Sequence, residues 1–170
     1  QYKVGAALNS ADGFRIKLEG KQAHGSMPWT GADPVVASAN VINGMQTLVS
    51  RRANLSQGLG VVAVGSIHGG TAGNIVTGEV TMEGTIRSNS PEIRETLTSA
   101  LPQLVTQTAE AQQVHAHVHV AKIMPVTMND AELTRAMVPA LQKASSGKAS
   151  ETFVNQAASE DFSYFSEKVP

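Results

Sequence analysis

Residues 65–87, GSIHGGTAGNIVTGEVTMEGTIR, read as two strands joined by a glycine-rich turn. On the far side Val80, Met82, Gly84 and Ile86 alternate with Glu79, Thr81, Glu83, Thr85 and Arg87, the pattern of a half-buried strand with one polar face. Gly69, Gly70, Gly73 and Asn74 crowd the turn, and all four tolerate positive φ. A loop of this kind brings backbone N–H groups and the Asn74 amide close to a ligand. Arg87 closes the polar face, where its planar fork suits a carboxylate held by two hydrogen bonds. By itself the stretch reads first as a plain hairpin with a surface arginine, and the rest of the chain decides whether it is more.

Working outward, residues 1–13 run extended and then turn-like through Asn9, Ser10, Asp12 and Gly13, a connector entering a domain. Phe14, Ile16 and Leu18 alternate with Arg15, Lys17 and Glu19 in a first strand. An irregular loop follows from Lys21 to Trp29. Asp33 and Pro34 then open a helix as N-cap and first helical residue. Val35, Ala39, Ile42, Gln46 and Val49 form its expected core stripe, widened by Val36, Met45 and Leu48. The next strand, from Leu59 to Ile67, is apolar on both faces, which predicts a central place in the sheet.

Beyond the glycine turn, Ser90 and Pro91 start a second helix with Ile93, Leu97, Leu101, Leu104, Val105 and Thr108 on one stripe. Pro102 inside it predicts a kink or a split. A fourth strand carries Val114, Ala116, Val118 and Val120 against His115, His117 and His119. The order strand, helix, strand, strand, helix, strand over 14–124 predicts an α+β fold, a ferredoxin-like split βαβ sandwich: a four-stranded antiparallel sheet with both helices on one face. Residues 125–170 add a capped helix (Asp130, Leu133, Met137, Leu141, with Pro139 inside) and a short closing segment. This tail does not complete a fold and is expected to be a piece of another domain. The chain starts at Gln1 without a methionine, so we expect it to be part of a longer protein.

Composition narrows the function classes. The 170 residues carry a net charge of −1 and no basic run, which speaks against nucleic acid and anionic membrane partners. With 41% hydrophobic and only 4% aromatic residues, the core must be aliphatic. The absence of cysteine removes disulfides and thiolate chemistry. No apolar run approaches the roughly 18 residues of a spanning helix.

Among residues able to do chemistry, His115, His117 and His119 share one strand face. Three such histidines span about 13 Å, too far to meet one ion, so a solvated polar face is expected. His24 sits in a Gly/Ser-flanked loop just past a strand, a position suited to reaching into a cleft. His68 reads as structural. Glu160 and Asp161 are either an acid–base pair or capping residues at a helix start. No catalytic triad spacing, dinucleotide fingerprint, phosphate loop or HExxH occurs.

Eight phrases in register then resemble one family: SADGF at 10–14, GKQAHGSMP at 20–28, DP at 33–34, LVSR at 48–51, GGTAGN at 69–74, GTIR at 84–87, ND at 129–130 and SEDFSYF at 159–165. The chain is similar to the middle of the metal-dependent amidohydrolases that include hippurate hydrolases, N-acyl-amino-acid amidohydrolases and auxin-conjugate hydrolases, relatives of aminoacylase and carboxypeptidase. The resemblance implies a lid or dimerisation domain at 14–124, a connector at 1–13 and a partial return into an α/β catalytic domain at 125–170. It implies a homodimer acting on small N-acyl amino acids with two divalent ions, zinc or manganese or cobalt, whose ligands lie outside these residues. No metal is therefore expected in this chain, and alone it should be inactive.

The lid histidine of that family matches His24, which would polarise the scissile carbonyl in the partner subunit. Asn74 and Arg87 match the groups that hold the substrate carboxylate, and Glu160 matches the acidic position of the last phrase. Gly25 and Ser26 stand where two alanines are frequent, and Trp29 where a histidine is, so the acyl side is expected to differ. A cytoplasmic location is expected. The rivals are a stand-alone ferredoxin-like module that binds a small carboxylate and a dimerisation domain without a ligand.

Overall fold

In the computed structural model, which describes residues 1–154 and 156–169, the alternation around Phe14 becomes the middle of a sheet. The elements are β1 (Gly5–Leu8), β2 (Ala11–Glu19), β3 (Ala23–His24), α1 (Pro34–Thr47), β4 (Gly60–Gly69), β5 (Ile75–Val76), β6 (Glu79–Ser88), α2 (Pro91–Glu110), β7 (His115–Met124), β8 (Thr127–Asn129), α3 (Ala131–Ala144) and α4 (Ser163–Ser166). The main sheet has the order β4-β6-β2-β7, and every neighbouring pair is antiparallel. That is the split βαβ topology the sequence predicts.

Ile16, Leu18, Met82 and Ile86 from the sheet meet Val41, Met45, Leu97 and Leu101 from α1 and α2 in one aliphatic core. Each such side chain contributes on the order of 1.5–3 kcal/mol when removed from water. Phe14 faces Gly84 across the β2–β6 ladder. A Cβ at Gly84 would lie 2.2 Å from the Phe14 ring and 2.2 Å from the Ala63 carbonyl oxygen, so the bare backbone there makes room for the ring.

Four expectations are corrected. The strand from Leu59 onward is not central: β4 pairs with β6 alone and forms one edge of the sheet. Val62 packs under the helices, while Val61 and Ala63 on the open face are only partly covered, so apolar residues on both faces do not require two strand neighbours. The core stripe of α1 is displaced by one residue toward the N-terminus. Ala37, Ser38, Val41, Met45 and Leu48 are buried, whereas Val35 and Val36 are about half exposed. Residues 9–13 are not a turn, since β2 already begins at Ala11 and Asp12 is buried within it. Pro102 and Pro139 do not split their helices, because α2 and α3 run unbroken through them.

A second, two-stranded sheet pairs β1 with β8, and Tyr2 and Leu8 bridge to Glu151 and Gln156. The first residues and the tail thus lie together at one end of the main sheet. Asp12 is the joint there. Arg94 donates to both its carboxylate oxygens, at 2.8 and 2.6 Å, and the Ile123 N–H donates to it at 3.1 Å. The Arg94 guanidinium is held further toward its charged form mainly by this hydrogen bonding to Asp12. Truncating a buried carboxylate leaves an unmatched cation and an unpaired N–H. D12A should therefore lose about 3 kcal/mol of unfolding free energy in urea; a loss under about 1 kcal/mol would contradict this role.

The open face of the sheet is polar, as expected. Arg15 pairs with Glu83 at 3.3 Å, and Lys17 with Glu19 and Glu79 at 2.7 and 2.9 Å. Hydrogen bonds from Lys17 and then His117 hold the Glu19 carboxyl below its ordinary range. A depressed folded value means that Glu19 lends stability above the ordinary carboxylate range and loses it as pH falls through the folded value. In an NMR titration, K17A should move the Glu19 midpoint upward; an unmoved midpoint would remove Lys17 as the main cause.

Candidate functional site

The two candidate groups nearest in space come from loops far apart in sequence. β3 and β5 form a two-residue antiparallel ladder, with His24 opposite Ile75 and Ala23 opposite Val76. Next to it the Gly25 N–H donates to the Asn74 carbonyl at 2.7 Å. A Cβ on residue 25 would stand 2.9 Å from that oxygen and 3.0 Å from its carbon, so only glycine permits the approach. The ladder splices the loop after β2 to the glycine turn before β6 and sets His24 beside Asn74.

The loop itself is closed at its base. Lys21 and Ala32 exchange two backbone hydrogen bonds, at 2.9 and 3.0 Å, and Gly20 N–H reaches Gly78 O at 2.9 Å. His24 is exposed at the tip. The Ser26 N–H donates to its Nδ1 at 3.2 Å, and the Ser26 hydroxyl lies 2.7 Å from the same atom. A backbone N–H can only donate, so Nδ1 is the acceptor and the neutral ring carries its proton on Nε2. The result is one N–H donor, at Nε2 of an exposed ring, with no partner among the described residues. The exposed Asn74 carboxamide makes no side-chain hydrogen bond among the described residues and is available to a ligand.

Arg87 is elsewhere. Asn74 and His24 lie past the Glu79 end of β6, and Arg87 lies at its other end, about 27 Å away at the usual strand rise. Arg87 is half-buried and its Nη1 donates to the Ser159 hydroxyl at 3.1 Å. Glu160, beside Ser159, accepts from the Phe162 N–H at 3.4 Å and its carbonyl accepts from Ser163, in the turn that leads into α4. The structure thus brings His24 to Asn74 and Arg87 to the neighbourhood of Glu160, but does not bring the two pairs together within one chain.

Two orienting residues were not singled out from the sequence. Ser26 entered as a departure from a common alanine, yet its hydroxyl and N–H fix the histidine. Ser159 belonged to a matching phrase without an assigned role. His115, His117 and His119 are exposed on β7, with His117 Nε2 3.2 Å from Glu19. His68 is exposed on β4, opposite Thr81. Among the described residues no group of three or more His, Cys, Asp or Glu side chains is placed to hold a metal ion, so the donor set does not fit a dinuclear centre. A groove of about 460 Å³ runs between α3 and α4, lined by Leu133, Met137, Leu141, Phe162 and Phe165, and touches none of these groups. No helix among the described residues is long and apolar enough to cross a membrane.

The split βαβ sheet with its paired loops falls into a known class of domain. Residues 7–113 match the peptidase dimerisation domain of the M20 family, and the chain belongs to that family. It is 31% identical to an N-acetyl-L-cysteine deacetylase of Bacillus subtilis, over 99% of this chain and 40% of that protein. It is 29% identical to a hippurate hydrolase of Campylobacter jejuni, over 97% of this chain and 43% of that one. A solved tripeptidase from Staphylococcus aureus superposes with a TM-score of 0.77 at 25% identity, covering 98% of this chain and 42% of that chain. A dinuclear metal binding M20 peptidase from Bacillus subtilis has the same fold, with a TM-score of 0.77 at 24% identity and coverage of 99% and 41%. The chain spans about two fifths of the length of the curated relatives it matches.

The close approach at Gly25 is testable without an activity. G25A should break the Gly25 N–H to Asn74 bond, raise amide exchange at residues 23, 25 and 76 at least tenfold and leave the core strands protected. Unchanged exchange at those amides would show that the ladder does not depend on the missing Cβ.

Proposed function

We propose that this chain is the lid and dimerisation part of a longer amidohydrolase that cleaves the amide bond of N-acyl amino acids. In this reading residues 14–124 form the lid, while 1–13 and 125–170 belong with a catalytic domain that carries two divalent ions, zinc or manganese or cobalt, on residues outside this chain. What supports it most is the placement of His24: an exposed imidazole with Nδ1 tied by Ser26 and Nε2 left without a partner among the described residues, on a loop paired to the one that carries the exposed Asn74 carboxamide.

The chain's own groups then divide the work. His24 donates from Nε2 to the scissile carbonyl oxygen and stabilises the negative charge that grows there. Asn74 adds a second donor on the same side. Arg87 offers its guanidinium to the substrate carboxylate, and Ser159 fixes the plane of that fork; Glu160 completes the polar surroundings at that end. The 27 Å or so between the two ends of β6 is too long for one small substrate. His24 and Asn74 therefore serve the partner's site while Arg87 serves its own, in a homodimer joined along the edge strand β4.

In the full-length protein, H24A and R87A should each lower kcat/KM for an N-acyl amino acid on the order of a hundredfold. Unfolding and reassembling an equal mixture should return roughly a quarter of the wild-type activity, because half of the heterodimer's sites carry both groups intact. Mixtures no more active than the parents would eliminate the exchange of His24 between subunits.

A further inference from the structure

The loop that carries His24 also carries an aromatic side chain that the fold leaves in water. Trp29 is 77% exposed and Met27 47% exposed, on the short helical turn Pro28–Thr30. The turn is not loose. Met27 N–H donates to the His24 carbonyl at 2.8 Å, and the Thr30 N–H and hydroxyl both bond the Met27 carbonyl, at 3.1 and 2.8 Å. Gly31 N–H donates to Pro28 O at 3.0 Å, and a Cβ at Gly31 would stand 2.4 Å from the Lys21 carbonyl oxygen. The backbone that carries Trp29 is thus held in fixed relation to that of His24, in a segment closed at its base through Lys21 and Ala32.

An exposed indole and an exposed imidazole carried five residues apart on one closed loop offer an apolar surface and a polar anchor together, the usual composition of a small-molecule subsite. Neither residue contributes to the core of this chain, so local packing does not account for them. If His24 bonds the scissile carbonyl, the group nearest that carbonyl on the side away from the carboxylate is the acyl chain. We propose that Trp29, with Met27, forms the acyl-group subsite of the partner's cleft and selects aromatic acyl groups over acetyl. This rests on the amidohydrolase reading above and adds a specificity-determining residue to it.

The test uses the full-length protein and matched N-benzoyl, N-phenylacetyl and N-acetyl derivatives of alanine and methionine. The expected wild-type ratio of kcat/KM, benzoyl over acetyl, is about tenfold or more. W29A should lower that ratio at least tenfold while W29F holds it within about threefold, with both variants keeping the wild-type mass in gel filtration. An equal loss on all acyl groups, or a W29A protein that runs as a monomer, would overturn the role and leave Trp29 a packing or interface residue. Turnover of none of the six amides by the wild type would instead sink the amidohydrolase reading, and this subsite with it.

Discussion

Strand β6 is the element on which the rest depends, because its length and its two ladders fix where the chain can offer chemistry. It lies between β4 and β2, with registers that hold over its whole length apart from one bulge near Val64. A paired, central strand does not shorten or bend without breaking both ladders. The groups at its two ends are therefore held apart by a nearly constant distance. Any function that needs both ends at one small molecule requires a second copy of the chain.

That constraint gives meaning to the unpaired rim. β4 exposes its hydrogen-bonding edge, and exposed edges of this length are normally blunted or covered. Here the edge carries Val61, Ala63 and Ile67 with no lysine or proline to discourage pairing. In the reading proposed above, a lid that pairs through β4 would place its His24 end over a neighbour while its Arg87 end stays with its own tail.

Much of this was legible in the residues, and the failures have identifiable causes. The alternation in β2 and β6 and the Asp33–Pro34 and Ser90–Pro91 starts were sufficient for the order of elements, since period and capping are local physics. The place of β4 in the sheet was not legible, because an apolar strand reads alike whether its second neighbour is a strand of the same chain or of another. The α1 stripe failed because Val35 and Val36 are hydrophobic but stand on the outer face, while small Ala37 and Ser38 sit inside, and hydrophobicity alone ranks them the wrong way. Pro102 misled because surrounding core contacts at Leu101 and Val105 outweigh one missing hydrogen bond. For the site, His24, Asn74 and Arg87 stood out locally as candidates, and only the matching phrases gave them roles. The pairing of Gly25 with Asn74 spans some fifty residues, and no local signal announces it.

The serine beside His24 shows why such a site needs more than the right residue types. An imidazole free to rotate presents either nitrogen, and half of its orientations would put a lone pair where a donor is needed. The backbone N–H of Ser26 removes that ambiguity at no cost in side-chain entropy, since the main chain is already fixed by the His24–Met27 turn. The hydroxyl adds a second constraint that an alanine in the same place would lack. Arg87 receives the same treatment from Ser159, whose hydroxyl holds one side of the guanidinium and leaves its other donors without a partner among the described residues. In both places a small polar side chain converts a flexible group into a directed one, so that binding need not order it again.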